Sequence, residues 1–221
     1  MTKEGETPTN KIDLEDSFQI YLYALQSSVK KIASSSINWY NSIFNFDDDF
    51  QVDYYLNKGT EYARGKRYTK AISLLEIARK EMPNNLELLY YLGLSLIKTK
   101  ELEKGLEILE KGLKLDNANL KILLLLGEIY SEINEYEKII IVLEKAICKK
   151  KSDANLHYRL GFAYDHLKDH ENAIKYFKKA LAIEPNNATV CQALALTYES
   201  SGARDEAVEY FKKALELEES K

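Results

Sequence analysis

The sequence predicts an all-α solenoid, a series of helical hairpins stacked one on the next, and three observations predict it. First, a short phrase returns at a fixed interval. Leu160-Gly161 with Tyr164 repeats Leu126-Gly127 with Tyr130 and Leu92-Gly93 with Leu96; Gly59 with Tyr62 begins the series and Leu194-Ala195 with Tyr198 ends it, each step being 34 residues. A period of that size marks a repeat architecture. Second, apolar residues inside each period recur at three- and four-residue spacing, the mark of amphipathic helices. Third, the 221 residues are 45% hydrophobic and 30% charged with only 3 Pro, a helix-rich composition.

Bulk chemistry excludes several classes. A net charge of -4 gives no broad field for nucleic acid. Cys148 and Cys191 are too few for a disulfide framework and fit a reducing compartment. The opening MTKEGETPTN lacks the apolar core of a secretory signal, and no run nears the ~18 apolar residues of a membrane span. The expectation is a cytosolic protein with the option of lying on a membrane.

Taken in order, residues 1–16 are expected to be disordered and 17–51 to form a helical lead-in. Asp16-Ser17 can cap a helix carrying Phe18, Tyr21, Leu22, Leu25, Val29 and Ile32 on one face. Ser34-Ser35-Ser36 breaks it, and Ile37, Trp39, Tyr40, Ile43 and Phe44 start a second helix. Five blocks follow, 52–85, 86–119, 120–153, 154–187 and 188–221, each with a helix A, a short polar turn and a helix B.

Helix B carries small residues at one position (Ala71, Gly105, Ala173, Ala207) and again seven residues later (Ala78, Gly112, Ala146, Ala180, Ala214). A small residue lets helix A approach, where the Gly of the phrase is expected to face it. Between them Leu75, Leu109, Leu143, Phe177 and Phe211 are expected to fill the gap toward the next hairpin. Pro83 and Pro185 end their helices, with Asn84-Asn85 and Asn186-Asn187 starting the next. Block three departs: Ile139 replaces the small residue and should push its helices apart. With Gly105 and Gly112 weakening helix B of block two, a hinge or changed curvature is expected within 100–145.

These residues, Leu-Gly-x-x-Tyr followed by small, large, small and Pro, resemble the tetratricopeptide repeat over about three quarters of the chain. The resemblance implies a right-handed superhelix with a concave inner face, the lead-in serving as a degenerate hairpin. DDDFQVDYYLNKG (47–59), then Arg67-Tyr68-Thr69-Lys70-Ala71, is similar to the start of the repeats in the MamA family of magnetosome-associated tetratricopeptide proteins. Tyr23-Ala24 and Lys30-Lys31-Ile32 resemble that family less closely. The second resemblance implies a non-catalytic scaffold, peripheral on the cytoplasmic face of magnetosome membranes and reaching them through protein partners. It also implies self-assembly into a homo-oligomer and surfaces for other magnetosome proteins.

Carried over position by position, the concave face would present Leu56, Thr60 and Arg64, then Tyr90, Leu94 and Lys98, then Leu124 and Glu128, then Tyr158, Phe162 and His166, then Leu196. Such an apolar floor with a mixed-charge rim suits an amphipathic helix or an extended peptide. The alternative reading is that some of these side chains serve only to pack neighbouring A helices. Chaperone-binding relatives hold a terminal carboxylate with Lys and Asn where block one has Leu56 and Thr60, which disfavours that activity. For the lead-in, Phe18, Tyr21, Leu22, Leu25, Val29, Trp39 and Tyr40 would be the self-assembly surface. The alternatives are a cap on the first repeat, as solenoids require, or membrane contact, for which Lys30-Lys31 is little charge.

No catalytic constellation is visible, and neither a cofactor nor a metal is expected. Asp165, His166, Asp169 and His170 cluster, but at the A–B turn, where packing or solvation is the simpler reading. His157 and Cys191 fall at buried positions, and Cys148 beside Lys149-Lys150-Lys151 reads as an inert thiol.

Overall fold

The computed structural model describes residues 18–25 and 48–219. All secondary structure among them is helical. Residues 18–25 are helical and are labelled α1. After it come α2 (Asp48–Arg64), α3 (Tyr68–Glu81), α4 (Leu86–Lys98), α5 (Leu102–Leu115), α6 (Leu120–Glu132), α7 (Tyr136–Lys149), α8 (Ala154–His166), α9 (His170–Ile183), α10 (Ala188–Ser201) and α11 (Arg204–Glu219). Val29, Trp39, Tyr40 and the residues expected to be disordered lie outside the described residues. The chain divides into two compact units, Met1–Leu115 and Asp116–Lys221, and the boundary falls within the stretch expected to hinge.

The A helices α4, α6, α8 and α10 start where they do because the residue before each is a capping Asn or Asp. Asn85, Asn119, Asp153 and Asn187 accept from the backbone N–H of Leu88, Ile122, Leu156 and Val190 at 3.0–3.2 Å. These caps recur at the repeat interval, and each satisfies a donor that the first helical turn would leave open. The A helices end just as regularly. Lys66, Lys100, Asn134, Lys168 and Gly202 take positive φ, from 59° to 88°. The next residue in each case donates back to the carbonyl of Tyr62, Leu96, Tyr130, Tyr164 or Tyr198 at 2.8–2.9 Å. This six-to-one closure with a left-handed residue is a Schellman end. The last residue of the recurring phrase therefore also supplies the carbonyl that turns the chain into helix B.

Close packing follows from the glycines. A Cβ on Gly161 would lie 2.6 Å from Phe177 Cδ1, and one on Gly59 would lie 2.7 Å from Leu75 Cγ. Thus the large residue of helix B covers the glycine of its own hairpin, and it also shares a buried cluster with the next one, Leu75 with Leu88, Leu89 and Leu92 and Phe177 with Val190, Cys191 and Leu194. The expected small-against-small contact occurs at Gly93 and Gly105, where an added Cβ on Gly105 would be 2.9 Å from Gly93 O. In block three, with Ile139 in that place, the three nearest atoms to a Cβ on Gly127 are all side-chain atoms, at 2.9–3.6 Å.

In the first unit α2 through α5 bury Ala71, Leu75, Leu88, Leu89, Leu92 and Leu109 completely. Ile20 of α1 packs onto this core, while Tyr23 meets Tyr54 edge-on at 6.1 Å. In the second unit Phe177, Val190, Cys191 and Leu194 form the centre of α9 and α10. Each fully buried Leu or Phe contributes about 2 kcal/mol of transfer free energy.

Candidate partner-binding surfaces

The A helices carry the residues expected to bind partners, and the two units present them differently. In the first unit, Leu56 is partly buried and packs against the core, and Tyr90 and Leu94 are half-buried. Tyr90 lies edge-on to Tyr91 at 5.0 Å. Lys98 is exposed. Thr60, expected on the groove wall, is instead buried, its hydroxyl donating to Asn57 O at 2.9 Å. Arg64 is held within the chain: Nε donates to Tyr91 Oη at 2.7 Å and Nη2 meets Glu87 Oε1 at 3.0 Å. The bond to Tyr91, helped by Glu87, holds this guanidinium above the usual arginine range. Arg64 therefore joins α2 to α4.

In the second unit the A helices expose more apolar surface. Phe162 is 44% and Leu196 53% exposed. Leu124 and Tyr158 are half-buried, and Glu128 is exposed. Tyr158 leans on buried Phe177 at 5.7 Å. His166 is tilted against Phe162 at 4.4 Å and stacks flat on Tyr136 of α7, 4.4 Å away at 7°. The result is a strip of rings from Tyr158 through Phe162 and His166 to Tyr136. The contribution of Tyr136 was not apparent in the sequence, because it comes from helix B of the preceding block. Arg159 lies beside the strip and was also missed: burial pulls its guanidinium below the usual arginine range, with Glu128 and Asp153 acting the other way.

On α1, Phe18, Tyr21, Leu22 and Leu25 are all exposed, at 41–61%. Tyr23, itself 39% exposed, lies against α2 and accepts from Asn57 Nδ2 at 3.3 Å. One face of α1 thus packs on α2 while four large apolar side chains face outward.

The Asp–His cluster is dispersed into structural roles. Asp169 caps α9 through the Asn172 N–H at 3.1 Å, and His170 Nδ1 lies 3.3 Å from Asp165 Oδ1. Among the described residues no three His, Cys, Asp or Glu side chains gather as a metal site. His157 is buried with Nε2 3.0 Å from Lys151 O, while Nδ1 has no partner. Burial pushes the Cys191 thiol up, and Cys148 is exposed. Tyr164 donates to Glu144 Oε1 at 3.0 Å; burial first, and this bond second, push it up to about 12.

Comparison with known proteins agrees with the hairpin geometry. Tetratricopeptide-repeat family models match residues 154–187 and 188–221. A model of subunit 3 of the anaphase-promoting complex, or cyclosome, matches residues 64–146. A solved structure of MamA from strain AMB-1 superposes with a TM-score of 0.72 at 34% identity, over 79% of this chain and 95% of that one. This chain belongs to the MamA family of tetratricopeptide-repeat proteins. MamA of strain MSR-1 superposes with a TM-score of 0.68 at 34% identity, covering 77% of this chain and 98% of that one. Among curated sequences, the magnetosome protein MamA of Paramagnetospirillum magnetotacticum is 32% identical over 64 residues, 29% of this chain and 30% of that protein. MamA of Magnetospirillum gryphiswaldense is 32% identical over 86 residues, 39% of this chain and 38% of that protein. The chain thus aligns with only about a third of the length of those curated MamA sequences. The fold is all-helical and of the α-solenoid class, as MamA-like repeats require. Tetratricopeptide repeats are in general protein-interaction modules, and no enzyme family is indicated. Among the described residues no helix is long and apolar enough to cross a membrane.

Proposed function

We propose that this chain is a non-catalytic scaffold that binds a helix or extended peptide along its A-helix faces and assembles with itself through its N-terminal helices. On this reading it sits peripherally on the cytoplasmic face of magnetosome membranes, held there by protein partners, and recruits other magnetosome proteins. The observation that carries it is the exposed ring strip of α8 together with Leu196. Large apolar side chains gathered in the open favour a partner that covers them. The magnetosome setting rests on what the relatives are named for.

Two measurements test it. Tyr158→Ala with Phe162→Ala should weaken partner capture at least tenfold while helix content stays constant. The solution mass of the full chain should exceed that of a chain beginning at Val52 by more than the residues removed. Equal, monomeric masses would refute self-assembly. They would also favour a second reading, an adaptor in which the lead-in only caps, a role supported by the contact of Ile20 and Tyr23 with α2.

A further inference from the structure

Where α3, α7 and α9 meet the helix A that follows them, their large residues Leu75, Leu143 and Phe177 are sealed, at most 1% exposed. Phe211 belongs to the same column on α11 but is only half-buried. Beside it Val208 is 52% and Leu215 58% exposed. Among the described residues α11 packs against α10 alone, so this face is uncovered. Apolar side chains gathered in the open favour a partner that covers them. At 3.6 residues per turn, Arg204, Val208, Leu215 and Glu219 fall within about 30° of one line along the helix, with Phe211 and Lys212 flanking it.

The charges on that line work against their own helix. Arg204 opens α11 and Glu219 closes it. A helix N-terminus carries partial positive charge and its C-terminus partial negative charge, so each of these side chains sits at the dipole end of its own sign. Among the described residues neither has an ion-pair partner. The line therefore runs from a cation through Val and Leu to an anion over about 22 Å, and it is complementary to itself reversed. A second α11, antiparallel about a twofold axis between residues 211 and 212, sets Val208 against Leu215 and Arg204 against Glu219, each twice. Lys212 then lies over Phe211 of the other copy. The one like-charge pair in this register is Asp205 with Glu218, and Glu218 is turned back onto α10, where it accepts from Gln192 Nε2 at 2.7 Å. The other helix with an exposed apolar face, α1, has no charged residue from 18 to 25 to answer Arg204 or Glu219.

We propose that α11 is a docking face for α11 of a second copy of this chain. The two form an antiparallel, twofold pair with Val208 and Leu215 at its centre and ion pairs between Arg204 and Glu219 at its ends. A contact of this symmetry closes on itself and joins copies in twos. A single helix pair buries less than the ~1,200 Å² of a stable interface, so the association is weak and concentration-dependent. This surface lies apart from the A-helix faces and the N-terminal helices, and it does not depend on either.

The experiment uses the full chain with Cys148→Ser, which removes the exposed thiol, and a nitroxide on Lys212→Cys; Cys191 is buried. Pulsed electron paramagnetic resonance should find a distance below about 20 Å between copies, since paired helix axes lie about 8–10 Å apart. Arg204→Glu alone and Glu219→Arg alone should each weaken this pairing at least tenfold. Mixing the two single variants should restore it, because each reversed charge then meets its opposite on the other copy. Neither reversal should lower Tm, because each gives α11 the charge its own dipole favours. Absence of the short distance at millimolar concentration overturns the docking face. A distance that survives both single reversals, or a mixture that fails to pair, overturns the register and with it the proposal. A short distance from residue 212 to a label on Tyr21→Cys of another copy, with none between two labels at 212, gives the face to α1 and also overturns it. The label reads α11 alone, so each result stands whether or not the N-terminal helices assemble.

Discussion

Replacing Gly93 with Ala, and Gly127 with Ala in parallel, separates two hairpins that look alike in sequence. A Cβ on Gly93 would lie 2.6 Å from Leu109 Cγ, 2.8 Å from its Cδ2 and 3.1 Å from Gly105 O. Leu109 is completely buried and Gly105 O is backbone, so neither can withdraw cheaply. Overpacking of this kind costs about 1–3 kcal/mol. Ala gains back about 0.5–1 kcal/mol over Gly as a helix residue. Gly93→Ala should therefore lose about 1–2 kcal/mol. At Gly127 the neighbours are Leu143 Cδ2 at 2.9 Å, Arg159 Nη2 at 3.4 Å and Leu143 Cγ at 3.6 Å; Leu143 is also completely buried, but only one of its methyls is crowded and no backbone atom is among the three. There the helix gain should offset the strain to within about 0.5 kcal/mol.

Thermal unfolding followed by circular dichroism reads the difference. For a chain of this length, Gly93→Ala should lower Tm by roughly 2–8 °C and Gly127→Ala by about 2 °C at most. Gly65→Ala is the control: its nearest neighbours would lie at 3.4–3.8 Å, and Tm should hold or rise slightly. If Gly127→Ala lost more stability than Gly93→Ala, the claim that Ile139 loosens block three would be wrong.

The other predictions concern caps, turns and one tyrosine. Lys100→Gly and Lys168→Gly, at φ 69° and 60°, should each stabilise the chain by about 0.5–1 kcal/mol in urea titrations, and Gly202→Ala should cost a similar amount. Asn119→Ala and Asp153→Ala should each cost about 1 kcal/mol by the same titration through the lost N-cap bond. Tyr164 keeps its proton in the folded chain up to about pH 12, whereas an unfolded tyrosine gives it up near 10. Its contribution is thus complete below pH 10 and is lost as pH rises from 10 to 12. Stability measured across that window should fall less steeply in Tyr164→Phe.

What the sequence made legible was whatever recurs because packing recurs. The phrase glycines, the small positions of helix B and the capping Asn residues all answer local or hairpin-scale demands. The left-handed turn residues were not legible. Lys66, Lys100 and Lys168 are poor turn signals, and Gly65 sits one residue before the position that actually turns. The contact of the large helix B residue with its own hairpin's glycine was not legible, because spacing alone does not show which turn of helix B lies opposite the glycine. On the candidate surface, exposure at Phe162 and Leu196 follows from the carried positions. The bond from Arg64 to Tyr91 spans 27 residues and depends on how two A helices meet, which no local pattern encodes.

One column of the repeat shows why the binding chemistry resists this kind of reading. Asn57, Tyr91, Leu125, Arg159 and Ala193 occupy the same place in successive A helices. Asn57 is satisfied by Tyr23, Tyr91 by Arg64, and Leu125 by burial. Ala193 has no polar group to satisfy. The fold tolerates an amide, a phenol, an isobutyl group and a methyl group here, so it does not dictate the residue. Arg159 is the member of this column that carries a full charge, and among the described residues it has no hydrogen-bond or ion-pair partner. Where architecture leaves a position unconstrained, the residue there answers to neighbours that differ from block to block, and the repeat pattern does not encode them.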